Sequence, residues 1–173
     1  KGVECKKECP IPKSGSIKIT SDCTLYHQIN VTGTLSVTGV PDALGIPPKI
    51  SGGGSNRLFQ VEGGGNLSLS FLTLIGGNCG VAECDGGAAR VLSGSLHCTS
   101  VNFTNNTAGE NGGAFAAYNK AEVIANATTF GQNKAGNMGG AIFVYNGAKV
   151  YLLEETTFNA NYAPTSGGAI YSE

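Results

Sequence analysis

Four segments of the chain place apolar or small residues on the same four beats. Aligned on their last residue they read "LSLSFLTL" (67–74), "LHCTSVNF" (96–103), "VIANATTF" (123–130) and "YLLEETTF" (151–158). The aligned columns are Leu67/Leu96/Val123/Tyr151, Leu69/Cys98/Ala125/Leu153, Leu72/Val101/Thr128/Thr156 and Leu74/Phe103/Phe130/Phe158. Within each segment the period is two, broken once in the middle, and no stripe of period 3.6 is present. This predicts two short strands joined by a bend. A third apolar stretch recurs as "LFQVEG" (58–63), "AFAAYN" (114–119) and "AIFVYN" (141–146), and predicts a third strand.

A longer phrase carries these strands. "FTNNTAGENGGAF" (103–115), "FGQNKAGNMGGAI" (130–142) and "FNANYAPTSGGAI" (158–170) join a Phe-x-x-Asn to a Gly-Gly-Ala, and Gly-Gly-Ala also occurs at 86–88. A phrase recurring every 26 to 28 residues marks a solenoid of stacked units. Three short strands per coil, with coils about 4.8 Å apart, make a parallel β-helix of about six coils. Phe103, Phe130 and Phe158 are expected to point inward and stack. Asn106, Asn133 and Asn161 form a column at a tight turn, where an amide side chain bonds backbone groups that the strand ladder leaves open. Gly112–Gly113, Gly139–Gly140 and Gly167–Gly168 supply a bend that a Cβ obstructs. All of these roles are structural. Residues 1–23 are read as a Cys-rich N-terminal cap with the first strand, and 24–173 as the β-helix, within a single domain.

Phe-x-x-Asn alternating with Gly-Gly-Ala-(Ile/Leu/Val) resembles the repeat of the chlamydial polymorphic outer membrane proteins. "KISGGGSNRLFQVEGGGNLSLSFLTLIGG" (49–77) is similar to pectin-lyase-like β-helices of large algal and protist surface proteins. The resemblance runs from about Ile17 onward. It implies a right-handed parallel β-helix, points to adhesion or surface assembly, and brings no catalytic residues. Gly86-Gly87-Ala88-Ala89 and Gly112-Gly113-Ala114-Phe115 only approximate the motif, and "LIGGN" (74–78) replaces Phe-x-x-Asn in one coil.

Composition adds a compartment. The 173 residues include 27 Gly and no Trp, 13% are charged, and the net charge is −1. No apolar run approaches membrane-spanning length, and no Lys/Arg stripe suggests nucleic acid. Six cysteines fall in two groups, Cys5/Cys9/Cys23 and Cys79/Cys84/Cys98. In so small a Gly-rich chain they are disulfide candidates and point to an oxidising compartment. The first trio would staple the first coil. A local bridge would pin the loop "NCGVAEC" (78–84), while Cys98, on an inward beat, either stays a buried thiol or bridges to that loop. Five sequons, at Asn30, Asn66, Asn102, Asn105 and Asn126, support an extracellular or cell-surface glycoprotein with N-linked glycans. Asn102 and Asn126 are expected to face solvent, and Asn66 and Asn105 to lie in turns.

Other chemistry is weakly written. The twelve acids are scattered; Glu83 and Asp85 share a Cys-flanked loop, Glu154 and Glu155 flank a bend, and His27 and His97 have no recurring partner. No constellation meets the requirements of a polysaccharide lyase, an epimerase or a glycosidase, and no metal or cofactor is expected. A carbohydrate-binding or carbohydrate-active β-helix is the alternative reading, and an ice- or surface-binding protein the third. The outward columns read for that third reading, Ser68/Thr99/Asn126/Glu154, Ser70/Ser100/Ala127/Glu155 and Thr73/Asn102/Thr129/Thr157, are mixed. The expectation is therefore a non-catalytic extracellular structural or adhesive module. Because Gly167–Gly168 opens a new coil that stops at Glu173 with Leu153, Phe158 and Ile170 uncovered, it should associate end to end into filaments, or pair with other extracellular proteins or glycans.

Overall fold

The computed structural model describes residues 7–80 and 82–173, so Cys5 lies outside the described residues. The strands pair in parallel, each with a partner one coil away. Parallel neighbours require a long crossover, and here the crossover is a whole coil. The major sheet runs Gly15–Ile19, Thr34–Gly39, Asn66–Ile75, Ser95–Thr104, Glu122–Asn126 and Lys149–Leu153 in chain order, with Cys23–Thr24, Lys49–Ser51, Thr129–Gly131 and Thr157–Asn159 beside it. A second sheet stacks Ile29–Val31, Phe59–Val61, Ala89–Val91, Phe115–Ala117, Ile142–Val144 and Ile170–Ser172, one strand per coil. A short sheet of Asn78–Cys79, Thr107–Ala108 and Lys134–Ala135 belongs to the middle coils. The architecture is a parallel β-solenoid of about six turns.

The mid-segment break in the apolar period has a backbone cause. Phe71, Ser100, Ala127 and Glu155 each take a left-handed conformation, with φ between 47° and 53°. Such a residue reverses the alternation of side chains, so Leu67 and Leu69 before the bend and Leu72 and Leu74 after it all point inward and are buried. A non-glycine residue at positive φ costs energy. Its recurrence in four successive coils means that the inward packing it allows exceeds that cost.

One coil departs from the sequence alignment. Val123 pairs with Val150 and Ala125 with Leu152, so the inward columns hold Val150 and Leu152 rather than Tyr151 and Leu153. Phe158 still pairs with Phe130. The offset arises at the bend, where Glu154 and Glu155 together occupy the place of Ala127. Tyr151 and Leu153 are exposed as a result. Two outward columns also change: Ser68 pairs with His97, while Ser70, Thr99, Asn126 and Leu153 form one rank.

At the N-terminal end a disulfide joins Cys9 to Cys23. Cys9 N–H donates to Thr24 O at 3.0 Å, Thr24 N–H donates to Lys7 O at 2.8 Å, and Cys9 and Ile11 are buried within the main apolar cluster.

Candidate functional site

The residues that repeat are engaged with each other across coils. Phe130 stacks on Phe103 at 5.1 Å and on Phe158 at 4.9 Å, with planes within 8° and 9° of parallel, and Phe115 tilts against the first two rings. Beside this stack runs an amide ladder. Asn133 Oδ1 accepts from Asn106 N–H at 3.2 Å and from Asn106 Nδ2 at 3.0 Å. Asn133 Nδ2 donates to Phe103 O at 3.0 Å and to Asn161 Oδ1 at 2.9 Å. Asn106 Nδ2 and Asn161 Nδ2 donate likewise to the carbonyls of Leu74 and Phe130. Asn106 and Asn133 have no exposed surface. The coil written "LIGGN" joins the same ladder, since Gly77 N–H donates to Asn106 Oδ1 at 2.9 Å. The sequence register there is correct, with Gly77 in the place of asparagine.

The glycine pairs meet a different demand at each member. Gly139 has φ 63°, a region that glycine enters without strain. At Gly140 the constraint is space: a Cβ would lie 2.1 Å from Gly168 O and 2.6 Å from Tyr162 N.

The sequons divide by exposure. Asn30, Asn66 and Asn105 are exposed; Asn105 sits in the left-handed turn before Asn106, while Asn66 begins a strand rather than lying in a turn. Asn102 and Asn126 are half-buried, so solvent reaches them less than expected. Asn102 Nδ2 donates to Thr73 Oγ1 at 3.4 Å, and Asn126 Oδ1 is buried without a hydrogen-bond partner among the described residues.

A second cluster carried no repeating signal and was missed in the sequence. Arg57 is buried on the second sheet's side of the solenoid. It donates to Gly86 O at 2.9 Å, Asp85 O at 2.7 Å, Gln28 Oε1 at 2.8 Å, Gln60 Oε1 at 3.1 Å and Cys84 Sγ at 3.0 Å. The buried Asp85 carboxyl accepts Asn111 N–H at 2.9 Å and Tyr118 O–H at 2.5 Å. Burial, then the hydrogen bond to Asp85, holds the Tyr118 hydroxyl well above the usual phenol range, against the pull of Arg90, whose guanidinium lies 5.4 Å from the Tyr118 ring centroid. Burial first and the contact with Cys79 second push the Cys84 thiol up to about 12, opposed by Arg57. Cys98 is fully buried between Leu69 and Ala125, and burial raises its thiol far above the ordinary range.

This cluster ties four successive coils together by hydrogen bonds. The polar atoms of Arg57, Asp85 and Tyr118 are spent on neighbours, while the buried Arg90 Nε has no hydrogen-bond partner among the described residues. Elsewhere, Asp22 Oδ1 accepts Lys49 N–H, and Asp42 Oδ1 accepts the amides of Leu44 and Ile46. Glu83, Glu154, Glu155, His27 and His97 are exposed. Among the described residues no group of three or more His, Cys, Asp or Glu is placed to hold a metal ion. No helix of the described residues is long and apolar enough to cross a membrane.

Comparison with known families decides what the stacking apparatus is. Residues 100–118, 127–145 and 155–173 each match the Chlamydia polymorphic membrane protein (Chlamydia_PMP) repeat. Three stretches of the chain are thus similar to the polymorphic membrane protein repeat. Comparison with curated proteins and with solved structures gives no significant match. Each repeat opens on the left-handed bend residue, Ser100, Ala127 or Glu155, and runs through the Phe, the Asn turn and the Gly-Gly pair to the end of a second-sheet strand. The polymorphic membrane protein repeat therefore spans the part of the coil where ring stack, amide ladder and glycine bend lie. The stretches between repeats, 119–126 and 146–154, include the bend insertion.

Proposed function

We propose that this chain is a non-catalytic structural and adhesive module of a surface-exposed protein, and that its outward faces do the contacting while the repeats set their spacing. One observation carries this reading. The side chains fixed by the repeat, Phe103, Phe130, Asn106 and Asn133, are buried and bonded coil to coil, whereas the outward ranks vary freely from coil to coil. A rod of this kind displays diverse side chains at a fixed pitch. Labelling of intact producing cells with a membrane-impermeant amine reagent tests the placement. Modification of Lys120, Lys134 and Lys149, all exposed, supports it, and labelling only after lysis refutes it.

The last coil supports end-to-end association as part of the same reading. Leu152 and Ile170 are each 39% exposed on the edge, and Phe158 is half-buried where Phe130 is wholly covered. A further coil of the same repeat fits this edge, whether it comes from the same polypeptide or from a second copy. Sedimentation of the 173-residue chain over a concentration series reads the second case; a strict monomer throughout excludes it. The exposure of Asn30, Asn66 and Asn105 supports N-linked glycans at these sites in a eukaryotic secretory host.

A further inference from the structure

We infer that Cys79 and Cys84 close a disulfide that locks the Arg57–Asp85–Tyr118 tie, while Cys98 stays a thiol. Four residues separate the two cysteines in the sequence. The folded chain, which holds both as thiols, sets them along one stretch of the neighbouring coil: Cys79 pairs with Ala108, Cys84 O accepts the N–H of Glu110 two residues on, and Arg57 Nη2 holds the Cys84 sulfur at 3.0 Å. Both residues are only half-buried, so an oxidant reaches them. Cys98 belongs to an inward column of the major sheet and is 1% exposed, whereas Cys79 lies in the short sheet.

What the bond would hold is specific. Cys84 O accepts Glu110 N–H at 2.9 Å, and the next residue, Asp85, bonds Arg57, Asn111 and Tyr118. Fixing Cys84 to Cys79 therefore fixes the position from which Asp85 reaches a neighbouring coil. The oxidant is a small-molecule disulfide such as oxidised glutathione. The Cys79 thiolate attacks it and expels one glutathione thiolate. Cys84 sulfur then attacks the mixed disulfide and expels the second, so two protons leave the protein and two electrons reduce the oxidant. A thiol pushed up to about 12 is almost wholly protonated at neutral pH, so the second step accelerates as pH rises.

The test incubates the whole chain, its Cys9–Cys23 bridge intact, with oxidised glutathione, followed by alkylation and non-reducing peptide mapping. The expected result is loss of two hydrogens, a Cys79–Cys84 linked peptide and an alkylated Cys98 after denaturation. The oxidised form should melt roughly 4–8 °C above the Cys79→Ser variant, and Tyr118→Phe should shrink that gain. Should Cys79→Ser fail to fold, wild-type protein before and after oxidation gives the same comparison. A bridge from either sulfur to Cys98 or Cys5, or two free thiols after oxidation, overturns the inference. A bridge that forms without raising the melting point, or whose gain is unchanged by Tyr118→Phe, overturns the locking role.

Discussion

Replacing Asn133 by Ala removes the middle rung of the amide ladder and nothing else of size. In the native chain this side chain meets two donors from Asn106 and two acceptors, Phe103 O and Asn161 Oδ1, all at 2.9–3.2 Å and away from water. With the amide gone, Asn106 N–H and Phe103 O are left buried without their partner. An orphaned buried group costs about 1–3 kcal/mol, so the substitution should cost about 3–5 kcal/mol in total. For a chain of this length that lowers the melting midpoint by roughly 10 °C. Circular dichroism during a thermal scan reads it, with exposed Glu154→Ala as the reference. Asn133→Asp sharpens the reasoning. A carboxylate still accepts from Asn106, but it faces Phe103 O and Asn161 Oδ1, which a protonated carboxyl would satisfy in part. Burial and these carbonyls raise the folded-state pKa of the introduced carboxyl above its unfolded value. The folded state then binds the proton more tightly, so this variant gains stability relative to wild type as pH falls through the folded pKa, and loses it as pH rises. If Asn133→Ala melts with Glu154→Ala, or if Asn133→Asp shows no such pH dependence, the ladder is not a stabilising element.

Three further outcomes follow from positions already described. Phe130→Ala deletes the central ring of the stack and should cost about 3–5 kcal/mol; a loss no larger than that of Glu154→Ala in a denaturant titration contradicts its placement. Gly140→Ala should fold poorly because its Cβ meets backbone at 2.1 Å, while Gly168→Ala, with nothing within 4 Å, should be tolerated in this chain; equal melting points for the two refute the steric account. Cys98, its thiol raised by burial, should resist iodoacetamide in the native protein at about pH 8.5, where an ordinary cysteine is half ionised, and labelling at a free-peptide rate would contradict its burial.

The legible parts of the fold were those that recur. Phe130 and Asn133 could be read as inward and turn-forming because the same pair appears one coil before and one coil after, and repetition turns a weak local preference into a column. Even "LIGGN" kept its register, since Gly77 offers the backbone N–H that the ladder needs. What failed was counting through an irregular bend. Glu154 and Glu155 are two residues where Ala127 is one, and aligning on Phe158 alone pushed Tyr151 and Leu153 into columns that belong to Val150 and Leu152. A one-residue slip inverts faces, and an apolar Tyr-Leu-Leu run gives no polarity signal to reveal it. The Arg57–Asp85–Tyr118 tie was invisible for the opposite reason. Its members lie 28 and 33 residues apart and occur once each, so no period marks them, and Asp85 read as one more scattered acid.

The amide ladder also gives the solenoid a direction. From Asn106 to Asn133 to Asn161 the –NH2 group of each side chain points toward the carbonyl oxygen of the next, so the row is a vector along the axis with like groups at like ends. Two such rods meeting at their Asn161 ends would set amide donors against amide donors, whereas a rod arriving with a carbonyl oxygen completes the row. A mirror-like pairing of last coils is thus disfavoured by the arrangement of one atom type, and any lengthening of the structure inherits a sense of travel. The same vector makes coils interchangeable in one orientation only, so duplication or loss of a whole unit leaves every remaining rung satisfied, while insertion of a partial unit breaks the row at a single, locatable place.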